Sequence, residues 1–94
     1  MWCEYLIVIA PFWWGSLPAI VKGWFERVLV PGVTYDFDKF LDKGLLKGKK
    51  GLIVTSAGNK KEDFAEEGLC GMSLDKMLHH YNYVTFEFCG MTAL

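Results

Sequence analysis

From Tyr5 to Ala10 every position is apolar, with no polar residue to mark a wet face. Such a run predicts a central parallel strand covered by helices on both sides. Gly51-Leu52-Ile53-Val54-Thr55 has the same character and ends in the small residues Ser56-Ala57-Gly58-Asn59. Between the two runs the period changes to that of a helix. Ala19, Ile20, Val21, Trp24, Phe25, Val28 and Leu29 make a wide apolar stripe, with Lys22, Gly23, Glu26 and Arg27 opposite. This predicts a one-sided helix from about Ala19, with Ser16 able to cap it and Pro18 in its first turn. Two buried strands joined through a helix predict a right-handed βαβ unit. Their two terminal loops then lie side by side.

The remaining segments are less regular. Pro31-Gly32 breaks the chain, and Val33 to Asp42 mixes Tyr35, Phe37 and Phe40 with charges, as a surface excursion pinned by its aromatics would. Gly44 to Lys50 is a turn with a basic tip. Lys60 to Gly71 is polar and glycine-flanked, with Phe64 and Leu69 as its large apolar anchors, and reads as a lid or surface loop. Ser73 opens a second helix with Asp75 in its first turn. Leu74, Met77, Leu78, Tyr81 and Val84 or Thr85 form its apolar face, and Gly90 closes it near Phe88-Cys89. A third strand can begin at Met91. Strands buried on both faces need neighbours on both edges, so the sheet is incomplete. Residues 1–94 read as one partial domain, the later half of a larger α/β fold.

Composition narrows the function mainly by exclusion. Hydrophobic residues make up 52% of the 94 residues and aromatics 16%, which excludes disorder. Lys+Arg 10 against Asp+Glu 11 gives a formal charge of -1, so there is no basic field for nucleic acid. Cys3, Cys70 and Cys89 are odd in number and lack C-x-x-C spacing; neither a disulfide framework nor a metal site is indicated, and a reducing cytoplasm fits best. The N-terminal apolar run is too short for a transmembrane segment. Function must be sought in a site.

The candidate site is the loop after the first strand, Pro11-Phe12-Trp13-Trp14-Gly15-Ser16-Leu17-Pro18. It lies at the carboxyl end of the sheet, where open α/β folds bind ligands. Adjacent tryptophans there either form a wall for a flat ligand or fill core or interface. His79 and His80 point in different directions on a helix, which favours a solvated or interface role over a metal site. No G-x-G-x-x-G or G-x-x-x-x-G-K phosphate loop is present.

The stretch Ala10-Pro11-Phe12-Trp13-Trp14-Gly15-Ser16-Leu17-Pro18-Ala19-Ile20-Val21-Lys22-Gly23-Trp24-Phe25-Glu26-Arg27-Val28-Leu29 resembles the signature of the flavodoxin-like NAD(P)H:quinone oxidoreductases, the DT-diaphorase-like group. The resemblance continues through Gly44 to Lys50, Thr55-Ser56-Ala57-Gly58, Gly68, Gly71 and Phe88-Cys89-Gly90-Met91. It implies a flavodoxin-like three-layer parallel sheet, of which this chain would supply the third strand to the start of the fifth. It implies FMN or FAD as cofactor, NAD(P)H as co-substrate, a quinone as acceptor, and a homodimer. Carried over by position, Pro11, Phe12, Trp13, Trp14 and Gly15 would line one side of the flavin ring, and Thr55, Ser56, Ala57 and Gly58 would offer backbone donors to its pyrimidine edge. A flavin needs such a flat wall, and donors where charge develops on reduction. The family's phosphate loop would precede Met1. Phe64 and Cys70 stand nearest the tyrosine and histidine that assist charge on the reduced flavin, and neither is a comparable donor, so no catalytic residue is assigned.

Two rival readings remain at this level. A non-catalytic remnant or regulatory subunit would keep only the interaction surfaces. A flavodoxin-type electron carrier is disfavoured because the near-neutral chain lacks an acidic docking face.

Overall fold

The computed structural model describes residues 3–94. Two long strands, β1 (Tyr5–Pro11) and β2 (Lys50–Ser56), pair in parallel from Tyr5 opposite Lys50 to Pro11 opposite Ser56. Helix α1 (Ala19–Val28) joins them. A short β3 (Thr92–Ala93) adds in parallel to the far side of β2, giving the order β1-β2-β3. The expected strands are all present, their starts and the ends of β1 and β2 shifted by no more than one residue.

Alternation along the strands decides which face is covered. Leu6, Val8 and Ala10 of β1, and Ile53 of β2, pack into a core made with Phe25 of α1 and with Leu78, Tyr81, Phe86 and Cys89. Tyr5, Ile7 and Ile9 point the other way, and Ile9 is 78% exposed. The expectation of helices on both faces is therefore met on one face among the described residues. α1 and the later helical run share that face. The α1 stripe is likewise wider than what is buried: Phe25 is enclosed, while Ile20 and Trp24 stand open beside the free edge of β1.

The second helix departs most from expectation. It consists of α2 (Leu74–Met77), α3 (His79–Tyr81), a π segment (Asn82–Phe86) and a 3-10 turn (Glu87–Cys89). Ser73 caps its start by accepting the Lys76 N–H, and Gly90 ends it at φ +94°, a conformation that favours glycine. The break has a packing cause. Tyr81 and Phe86 are both buried, yet five residues of regular α-helix turn through about 500°, about 140° off the face. The π turn removes much of that mismatch, and the Glu87 N–H reaches back to the Asn82 carbonyl. Phe86 consequently replaces Val84 or Thr85 in the core, and Val84 is exposed.

The 33–42 excursion is pinned as predicted, and its anchor is Phe88. Phe40 stacks on that ring at 5.4 Å and Tyr35 meets it edge-on at 5.2 Å. Phe37 is left 95% exposed. In the 60–71 loop Phe64 is the anchor, set edge-to-face on Phe12 at 5.9 Å. Leu69 is exposed and anchors nothing.

Candidate flavin-facing site at the strand ends

The register of β1 and β2 places their terminal loops together. Pro11 sits opposite Ser56, and the Phe12 N–H donates to the Ser56 carbonyl at 2.8 Å, extending the ladder one residue past β1. The chain then reverses. Trp13 and Ser16 exchange both backbone hydrogen bonds, Trp13 N–H to Ser16 O at 2.8 Å and Ser16 N–H to Trp13 O at 3.1 Å. Between them Trp14 has φ +52° and Gly15 φ +75°. Positive φ at both central positions matches a type I′ turn, which usually carries Asn-Gly rather than a bulky side chain. Trp14 in this region stores about 1–3 kcal/mol of backbone strain.

That strain presents an indole to solvent. Trp14 is completely exposed (103%) and Trp13 is 60% exposed. Phe12 is buried and turned inward onto Phe64, so its ring holds the 60–71 loop to the end of β1 rather than facing a ligand. Gly15 lies close to Met77, whose methyl would stand 3.2 Å from a Cβ at that position. Ser56, which ends β2, and Ala57 and Gly58, which follow it, are exposed. The N–H groups of Ala57 and Gly58 donate to no other described residue. Thr55 Oγ1 is buried without a partner among the described residues. Polar capacity at the end of β2 is thus unspent.

An open groove of about 560 Å³ runs from the tryptophan turn along the start of α1, bounded by Trp13, Trp14, Pro18, Lys22, His80 and Tyr81. Lys22 is paired with Glu26 at 2.9 Å, a contact that holds the exposed Glu26 carboxyl below its usual range. Partial desolvation, then Lys22, then His79 push the largely exposed His80 below the ordinary histidine value, so its imidazole is mainly neutral near pH 7. The groove wall is therefore aromatic and weakly charged. His79 stacks on Tyr83 and both histidines are exposed; among the described residues no cluster could hold a metal ion. Cys89 is buried, which raises its thiol above the usual range and marks it as a packing residue. A second groove of about 340 Å³ between β1 and α1 is almost entirely apolar and offers little to orient a ligand.

Two residues of the site were not singled out in the sequence for the part they play. Ser16 does not cap α1: Pro18 occupies the N-cap, and no side chain bonds there. Instead Ser16 Oγ and Tyr81 Oη share a hydrogen bond at 2.9 Å. Tyr81 read as one more apolar position of the second helix. The pairing spans 65 positions, and no local signal carries it.

The parallel three-stranded sheet accords with what the family comparison returns. The family described as flavodoxin-like fold matches residues 1–94. The chain belongs to that family. Among curated flavodoxin-like relatives, ribosyldihydronicotinamide dehydrogenase [quinone] of Mus musculus is 38% identical over 97% of this chain and 39% of its own length. NAD(P)H dehydrogenase [quinone] 1 of Rattus norvegicus is 36% identical over 97% of this chain and 33% of its own length. The chain thus spans between a third and two fifths of these flavodoxin-like relatives. Among solved structures, general stress protein 14 of Treponema denticola, in complex with FMN, superposes with a TM-score of 0.83 at 25% identity, covering 97% of this chain and 49% of that one.

Proposed function

We infer that this chain supplies the ring-binding part of a flavin-dependent NAD(P)H:quinone oxidoreductase, with Trp13 and Trp14 as the stacking wall and Ala57 and Gly58 as backbone donors. The observation that carries this reading is the strained, fully exposed Trp14 on a loop whose base, Phe12, is hydrogen-bonded to Ser56 at the end of β2, where the Ala57 and Gly58 N–H groups follow with no partner among the described residues. A solvated indole in a left-handed turn serves no packing purpose, and its neighbours offer the polar complement that a flavin pyrimidine edge requires. The ring that FMN and FAD share fits the residues present. When bound, a flavin supplies the hydride chemistry between NAD(P)H and a quinone. The chain's own part is to stack the ring, orient it with N–H donors and stabilise charge at the edge near Gly58. Relatives named as quinone dehydrogenases and an FMN-bound structural neighbour support the reading. No helix among the described residues is long and apolar enough to cross a membrane. A cytoplasmic setting accords with the free cysteines.

Flavin titration tests this. The 94 residues contain no phosphate-cradling loop, so riboflavin and FMN are expected to bind with the same dissociation constant, near the millimolar end of the scale, where about 4 kcal/mol corresponds to 1 mM. Trp14→Ala should weaken both by about two- to thirteenfold, the equivalent of roughly 0.5–1.5 kcal/mol of aromatic stacking. Equal affinity in wild type and variant would reassign the tryptophans to packing.

We also propose that the protein is a homodimer in which the 33–42 excursion meets the partner. Tyr35 and Phe40 are consumed in anchoring to Phe88, so the feature that points outward is Phe37, at 95% exposure. Sedimentation at about tens of micromolar, a regime that reveals weak interfaces, should show twice the monomer mass. Phe37→Ser should shift the protein toward monomer. A monomeric wild type, or a dimer indifferent to the substitution, counts against the assignment.

A further inference from the structure

The tryptophan turn is held from below by one buried hydroxyl. Tyr81 is 1% exposed, its ring is packed on Phe25 at 5.7 Å, and its Oη meets Ser16 Oγ at 2.9 Å. Ser16 is the closing residue of the Trp13–Ser16 turn, bonded twice through its backbone to Trp13. A side-chain tie on Ser16 therefore fixes the residue that closes the turn, and with it the left-handed geometry of Trp14. The π segment is part of the same arrangement. By placing the extra residue between Tyr81 and Phe86, it lets Phe86 fill the core over Gly51 while Tyr81 stays aimed at Ser16. In a regular helix the two side chains would point about 140° apart, and one of them would leave its partner.

We propose that Tyr81 is a positioning residue: its hydroxyl, acting through Ser16, holds the Trp13–Trp14 turn in the strained conformation that presents the indole wall. The flavin consequence rests on the functional reading above, but the positioning itself does not. A strained turn relaxes when its restraints are removed, because two of its residues occupy φ values that are unfavourable or rare without support. Holding the wall in place before a ligand arrives reduces what binding must spend on ordering it. Tyr81 borders the groove, but its hydroxyl is committed to Ser16, and in this scheme it acts through the turn.

The test uses the full chain and two readouts. Amide hydrogen exchange of Trp13 and Ser16, read with no ligand present, reports the two turn hydrogen bonds directly. Tyr81→Phe keeps the ring on Phe25 and deletes only the hydroxyl. Ser16→Ala removes the other partner from a half-buried position with no effect on core packing. Both variants should exchange about three- to tenfold faster at Trp13 and Ser16 while the amides of the β1–β2 ladder keep their protection, the scale expected for one net hydrogen bond. Ser16→Thr, which keeps a hydroxyl, should retain the protection. Riboflavin affinity should fall by a similar factor in the two deletions and by no more in the double variant, since they break one bond. Unchanged exchange at Trp13 and Ser16 overturns the proposal. Faster exchange with unchanged riboflavin affinity upholds the tie on the turn and overturns its consequence for ring binding. Faster exchange in a protein whose wild type binds no flavin upholds the positioning role and removes the flavin reading alone.

Discussion

Phe86→Ala is expected to destabilise the fold by about 3–5 kcal/mol, the range for emptying a fully buried aromatic site. Phe86 has no exposed surface, and its ring meets Phe25 edge-on at 5.9 Å. Beneath it lies Gly51 of β2, where a Cβ would come within 2.6 Å of the ring, so the phenyl rests directly on strand backbone. A floor of β-sheet cannot rise to fill the void, which places the cost toward the upper end. Against a total stability of about 5–14 kcal/mol for a chain of this length, one substitution removes a large share. The melting temperature should fall by more than about 12 °C, at about 4–8 °C per kcal/mol. Val84→Ala is the control. In a regular helix Val84 would share the core face, whereas here it is exposed and should cost less than about 0.5 kcal/mol. If the two variants lose comparable stability, the π segment is wrongly placed.

The same residues show how far sequence reasoning reaches. β1, β2 and α1 were legible because hydrophobic pattern is a local property: the two strands are unbroken apolar runs and the helix carries one apolar stripe. The adjacency of their terminal loops followed from parallel connectivity. The phase of the second helix was not legible. Val84, Thr85 and Phe86 are successive candidates for one core position, and the choice is made by the space above Gly51, a residue 35 positions away. Ser16 illustrates the same limit: a serine just before a helix signals a cap, but a tyrosine hydroxyl 65 positions away offers it another partner. The inward turn of Phe12 was hidden for a further reason. Phe12, Trp13 and Trp14 are all aromatic, and only the hydrogen bond that prolongs the β ladder to Phe12 fixes which ring points into the core. Coverage of the sheet differed in kind, since an apolar strand states what its faces require and not which residues meet that need.

Gly44→Ala is expected to be the second severe change, at about 3 kcal/mol, the upper end for overpacking. The backbone at Gly44, φ -61° and ψ 153°, is one that any residue adopts, so conformational preference is not the cause. The cause is close approach. A Cβ at this position would collide with the main chain of Cys89 and Gly90, and neither can swing aside as a side-chain tip would. Their positions are fixed from both sides: the Leu46 N–H donates to the Cys89 carbonyl at 2.9 Å, and the Gly90 N–H donates to the Glu87 carbonyl at 3.0 Å. Relief therefore requires the 33–44 excursion to lift from the end of the helical run. That movement would separate Tyr35 and Phe40 from Phe88 and displace Phe37 with them. Gly48→Ala supplies the contrast. Gly48 has φ +87° but open space around its Cβ position, so alanine there should cost only about 1–2 kcal/mol of left-handed strain. Urea unfolding of the two variants separates the mechanisms: Gly44→Ala should lose the greater stability and also weaken self-association, whereas Gly48→Ala should lose stability alone. A dimer as tight in Gly44→Ala as in the wild type would break the link between this crossing and the Phe37 surface.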